Sequence, residues 1–147
     1  MENNYINVCM NEIKITDSNN KIIGTYALAT CVGVLLYSEE HKTALVAHVS
    51  DKPERNFAKI LCMLEENNLL DSEIKYAVIQ GYYYNNYKLY ENLCALFEEN
   101  NDLFIPLDYK KGDIEVEEDL PAHGFMFDAE VGEFVNSKNN RRSLRNK

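Results

Sequence analysis

Apolar positions along the chain come in two kinds of pattern. Val8 to Ile15 and Lys21 to Thr25 are rich in β-forming residues, and the polar run Asp17-Ser18-Asn19-Asn20 between them supplies turn residues, so this stretch predicts a hairpin. Val32 to Tyr37 (VGVLLY) and Thr43 to Val49 (TALVAHV) are apolar runs too short for helices, and Ser38-Glu39-Glu40-His41 separates them. They predict a second hairpin. Beyond it the period changes to that of a helix. Ser50 or Asp51 is placed to cap a helix with Pro53 in its first turn and Phe57, Ile60, Leu61 and Leu64 on one face, closed by the polar run Glu65 to Asn68. Ile74 to Gln80 predicts a strand. Tyr87 to Glu99 predicts a second helix, with Leu89, Leu93, Leu96 and Phe97 at helical spacing. Strands follow at Leu103 to Leu107 and Gly124 to Phe127, with a turn over Asp128 to Glu133 before Phe134.

These elements predict an α/β sandwich of mixed or antiparallel strands covered by two main helices, with the strand order left open. No internal repeat or linker interrupts residues 1–135, which read as one domain. Residues 136–147 (NSKNNRRSLRNK) carry five of the fifteen basic residues and no acid, and read as a basic, solvated and disordered tail.

Composition narrows the function classes. With 46% hydrophobic and 27% charged residues the chain has enough apolar surface to fold. The net charge is −9, and the body before the tail sums to −14, which repels phosphate backbones and argues against nucleic-acid binding. The first residues, MENNYINVCMNEIK, lack the basic and apolar regions of a signal peptide, and no apolar stretch approaches membrane-spanning length. The expectation is a cytoplasmic protein without membrane insertion. Cys9, Cys31, Cys62 and Cys94 are widely spaced with no C-x-x-C pair, so neither a zinc site nor a disulfide framework is predicted.

The second hairpin brings candidate chemistry together. If it turns about Glu39-Glu40, Tyr37 opposes Lys42 and Cys31 opposes His48, so that thiol and imidazole share one face of the ladder. A register slip of one residue would separate them. An imidazole beside a thiol can take its proton and later deliver it to a leaving amine, which suits acyl chemistry. Thr25, at the end of the preceding strand, offers a hydroxyl or a carbonyl to orient the imidazole. Backbone N–H groups around Ala29, Thr30 and Cys31, where the chain enters the strand, are candidate donors to an oxyanion. On spacing alone, a small core hydrophobe at the head of an apolar strand is the better reading of Cys31.

The segment GTYALATCVGVLLYSEEHKTALVAHVS resembles the CheD family of chemoreceptor glutamine deamidases, whose members read T-x-L-G-S-C-V-A-V-x-L-Y-D followed by a G-x-A-H strand. Thr25, Cys31 and His48 fall on the family's catalytic threonine, cysteine and histidine at the same separations. The likeness continues more weakly through KYAVIQG to GFMFDAEVGEF and so covers most of the chain before the tail. It implies a cofactor-free Cys-His-Thr hydrolase. Cys31 attacks a glutamine carbonyl on a protein substrate, His48 protonates the departing ammonia, and water hydrolyses the thioester to glutamate. It also implies chemotaxis as a setting and a regulatory protein partner. Similar Cys–His arrangements in toxin deamidases such as the cytotoxic necrotizing factors imply the variant of an effector delivered into a host cell by specialised secretion.

The departures matter as well. The family's G-S-C reads Ala29-Thr30-Cys31, and Ala29 restricts the backbone where a left-handed conformation would be costly. The family's glycine pair reads Gln80-Gly81, followed by Tyr82-Tyr83-Tyr84, so Gln80 and Tyr82 are candidate substrate contacts. The alternative is a CheD-like protein-binding module without turnover. Cys9, Cys62 and Cys94 read as structural or inert, and His41 and His123 as idle. Asp113 to Asp119 lacks the alternating oxygen ligands and turn glycine of a calcium loop and reads as solvated.

Overall fold

Seven consecutive buried residues make β4 (Val32–Ser38) the middle of the molecule. A strand covered on one side alternates between apolar and polar, whereas one covered on both sides reads as a continuous apolar run, as VGVLLY does. The computed structural model describes residues 5–81, 86–109, 114 and 124–135. Tyr82, His123, the acidic stretch 113–119 apart from Ile114, and the tail 136–147 lie outside them.

β4 pairs antiparallel with β5 (Thr43–Val49) on one side and β6 (Ile74–Gln80) on the other. β2 (Ile13–Ile15) extends the sheet beyond β5, and β7 (Phe104–Pro106) extends it in parallel beyond β6. The order is β2-β5-β4-β6-β7. A second mixed sheet of four strands has the order β1-β3-β8-β9, formed by Ile6–Asn7, Ile22–Thr25, Phe125–Asp128 and Glu133–Phe134. Two helices, α1 (Pro53–Glu66) and α2 (Tyr87–Glu99), complete a mixed α/β architecture.

Side-chain alternation sorts the core into two layers. Val32, Val34 and Leu36 join Leu45, Ala47 and Val49 of β5 and the helix residues Phe57, Ile60, Leu64, Leu93 and Phe97. From the other face, Cys31, Leu35 and Tyr37 join Ala44, Val46, Ala77 and Ile79 and meet Ile23, Phe125, Phe127 and Phe134 of the four-stranded sheet. Each fully buried Val, Leu, Ile or Phe among them contributes about 1.5–3 kcal/mol.

Three expectations need correction. The Asp17–Asn20 turn forms, with the Asp17 carboxylate accepting from the Asn19 and Asn20 amides at 2.8 Å. Its flanking strands nevertheless part: β2 pairs β5 and β3 pairs β1 and β8, so no hairpin results. The second hairpin exists, but its turn holds four residues, Glu39 to Lys42, with Ser38 opposite Thr43, so the register is displaced by two. The favoured two-residue turns need positive φ at one or both central positions, which Glu39-Glu40 does not favour; the longer turn places only Lys42 there, at φ 49°. Finally, α1 has the predicted extent and Pro53, yet its N-cap is Lys52 at φ 54°, without a side-chain cap. Ser50 instead donates to the Asn11 side chain at 2.7 Å, and the Asn56 side-chain amide bonds the Asp51 and Lys52 carbonyls.

Candidate functional site

In the observed register His48 faces Gly33 across the ladder, and Cys31, just before β4, lies one diagonal step away. A displacement of two preserves side-chain parity, so Cys31 and His48 still project from one face, toward the four-stranded sheet. Gly33 makes room there: a Cβ on it would lie 2.7 Å from a Phe125 ring carbon and 3.3 Å from Leu28.

The His48 ring is fixed by its surroundings. Its backbone accepts from the Asn11 amide at 2.8 Å and donates to the Glu12 carbonyl at 3.1 Å. Nδ1 lies 2.7 Å from the hydroxyl of Thr25, which is fully buried, and that hydroxyl donates to the Val8 carbonyl at 2.6 Å. Parallel pairing of β1 with β3, continued by Val8 N–H to Gly24 O at 2.8 Å, sets this carbonyl in place. A hydroxyl has one hydrogen and a carbonyl can only accept, so Thr25 donates to Val8 and accepts from Nδ1–H. The neutral ring therefore keeps its proton on Nδ1 and presents the lone pair of Nε2. Nε2 is buried with no hydrogen-bond partner among the described residues, so the Cys31 thiol does not close a hydrogen bond with it.

Burial acts on both groups in the direction of neutrality. It is the main cause lowering the His48 pKa from 6.5, partly offset by the Val8 carbonyl, and His48 is 2% exposed. Cys31, 4% exposed, is raised from 9.0 first by burial and then by the Asp51 charge, while a hydrogen bond from Thr30 pulls the other way. At neutral pH this is a thiol beside a neutral imidazole. Such a pair supplies general-base activation on demand, in contrast to a preformed thiolate.

The approach to Cys31 is backbone-dense. Left-handed backbone occurs twice within three residues: Ala27 has φ 57° and Ala29 φ 43°. The Cys31 N–H donates to the Leu28 carbonyl, closing the turn. The N–H groups of Ala29 and Thr30 make no backbone hydrogen bond among the described residues. Gly81 lies against this turn, where a Cβ would stand 2.3 Å from the Ala29 carbonyl oxygen and 2.5 Å from that of Cys31.

Thr25, His48 and Cys31 thus share one core layer, and Ala29 and Thr30 adjoin it. Gln80, expected as a substrate contact, opposes Val32 and so shares the helix-facing side, turned away from the Cys31 face. Tyr82 lies outside the described residues. Sequence reasoning missed the Val8 carbonyl, which no side chain announces, and Gly33. A glycine inside a strand signals a close approach and could have marked Gly33.

The remaining candidates lie elsewhere. His41 Nε2 is 2.9 Å from Asp71 and 3.6 Å from Glu40, in an exposed group at the opposite end of the hairpin. The ligand atoms of these three residues lie within 4.8 Å of one another, the one such group among the described residues. Cys9 and Cys62 are exposed, Cys94 is half-buried, and all four cysteines are free thiols. Among the described residues no helix is long and apolar enough to cross a membrane. Comparison of the chain with protein-family models and with curated proteins returns no match.

Proposed function

We propose that the chain is a cysteine-dependent amidohydrolase that converts a glutamine side chain of another protein to glutamate and ammonia. The observation that carries this reading is the buried Val8–Thr25–His48 chain, which leaves Nε2 as an unpartnered base on the face of Cys31. The resemblance of the Thr25 to Ser50 segment to the CheD deamidases supplies the substrate class.

Nε2 takes the thiol proton as Sγ bonds the carboxamide carbon and the carbonyl electrons move to oxygen. The carbonyl re-forms, the C–N bond breaks, and the Nε2 proton leaves with the nitrogen as ammonia. Water, deprotonated by Nε2, then adds to the thioester, and the returning proton restores the thiol as glutamate departs. Thr25 orients the ring throughout.

One observation favours a second reading, a CheD-like binding module without turnover: the thiol is buried and neutral, and its N–H is committed to Leu28. The readings part in two assays. Candidate substrate proteins incubated with the wild type should gain about one mass unit per modified glutamine, and none with Cys31→Ala. His48→Ala should slow alkylation of Cys31. Unshifted glutamines, together with alkylation indifferent to His48→Ala, would leave the binding module standing.

A further inference from the structure

Acyl chemistry at Cys31 needs donors for the oxygen that becomes negative, and the nearest backbone donor is the N–H of Cys31 itself. That N–H is engaged by the Leu28 carbonyl. The turn that engages it holds Ala29 at φ 43°, next to Ala27 at φ 57°. Neither residue is glycine, and left-handed backbone costs an L-residue roughly 1–2 kcal/mol. The closed turn is therefore maintained against local strain. Gly81 packs against the Ala29 and Cys31 carbonyls more closely than any side chain would permit, so one side of the turn is closely packed. Thr30, between the two, is exposed, so the Ala29–Thr30 peptide has open space on one side.

We propose that the Leu28–Cys31 turn is a two-state gate, closed in this structure, and that its opening frees the Cys31 N–H to receive the oxyanion of a bound substrate. In the open state Ala29 returns to negative φ, so the strain released offsets the loss of the Leu28 hydrogen bond. A substrate carbonyl replaces the Leu28 carbonyl as acceptor, which ties donor assembly to occupancy of the site. The inference rests on the hydrolase reading for the identity of the acceptor, but the two-state turn is testable apart from it.

The direct test is hydrogen exchange of the Cys31 amide in the full-length, 15N-labelled protein, with unfolding midpoints measured alongside. Asn tolerates left-handed backbone and a β-branched residue resists it, so the two substitutions push the gate in opposite directions. Ala29→Asn should slow exchange about fivefold and Ala29→Val should speed it about fivefold, these factors corresponding to roughly 1 kcal/mol of strain. Exchange at the wild-type rate in Ala29→Asn, or faster, overturns the gate even if Ala29→Val fails to fold.

A peptide glutamine aldehyde then reads the oxyanion role. The Cys31 sulfur bonds the aldehyde carbon and the thiol proton passes to the aldehyde oxygen, giving a hemithioacetal. Its affinity should fall about fivefold in Ala29→Asn and rise in Ala29→Val. Equal affinity across the series, with the exchange shifts intact, removes the oxyanion role and leaves the hydrolase reading in place. No adduct in the wild type removes both.

Discussion

The hairpin of β4 and β5 carries a histidine near each end, and the two ends differ in almost every physical respect. At the turn, His41 meets the Asp71 and Glu40 carboxylates on the surface, where water competes for the same polar groups and the contact contributes little. At the open end, His48 is buried, bonded through Nδ1 to a threonine that is itself bonded to a backbone carbonyl, and left without a partner at Nε2. One residue type thus contacts surface carboxylates in one place and is held with a bare ring nitrogen in the other. Surroundings decide between them: the four-stranded sheet covers the second end and fixes which nitrogen is basic, whereas His41 at the first is a third exposed.

The sharpest way to break this contrast is kinetic. His48→Ala should reduce glutamine hydrolysis by about 10²–10⁴, the usual contribution of a positioned acid–base group, as measured by ammonia release. His41→Ala should leave the rate within about twofold, because it touches neither Cys31 nor His48. Comparable losses at both ends would erase the distinction.

Stability offers the next test. Thr25→Val removes the hydroxyl that joins Nδ1 to the Val8 carbonyl and leaves two buried polar groups unpaired, at a cost of about 1–3 kcal/mol in urea unfolding. Asp71→Ala breaks the surface contact with His41 and should shift the urea midpoint far less than Thr25→Val does. Gly33→Ala presses a methyl into Phe125 beside the same site and should cost about 1–3 kcal/mol, with slower alkylation of Cys31.

The smallest effects lie in the pH dependence of stability. His48 binds its proton less readily folded than unfolded, so below pH 6.5 the unfolded chain holds the extra proton. Stability should therefore decline as the pH falls from 6.5 toward the lowered folded value. Cys31 holds its proton more tightly when folded, so stability should also decline as the pH rises above 9.0. Cys31→Ala should reduce the alkaline decline, which Cys94 and the raised tyrosines share, and His48→Gln should remove the His48 part of the acidic one, above the range where carboxylates titrate.

Much of the helix-facing layer was legible because its period is carried by side chains. Phe57, Ile60 and Leu64 repeat as a helix does, and β6 and α2 take the extents the pattern predicts. The parting of β2 from β3 was not legible. The Asp17–Asn20 turn is a local event, while the choice of partner strand is settled by distant pairing with β5 and β8. The hairpin arithmetic was wrong by two and still brought Cys31 and His48 to one face, since parity survives an even shift. Chemistry carried by the main chain stayed hidden: the Val8 carbonyl and the closed N–H of Cys31 have no signature in residue identity. Gln80 was misplaced for a related reason. Proximity to Gly81 in sequence says nothing about face, and Gly81, one residue on, is the position that meets the Cys31 turn.

Thr25 makes Nε2 the basic nitrogen of His48, and nitrogen NMR of the imidazole at pH 7.5 reads this directly. The expected result is a neutral ring with its proton on Nδ1 and a bare Nε2, changing to a mixture of tautomers in Thr25→Val. A ring protonated on Nε2, or one still doubly protonated at that pH, would contradict it.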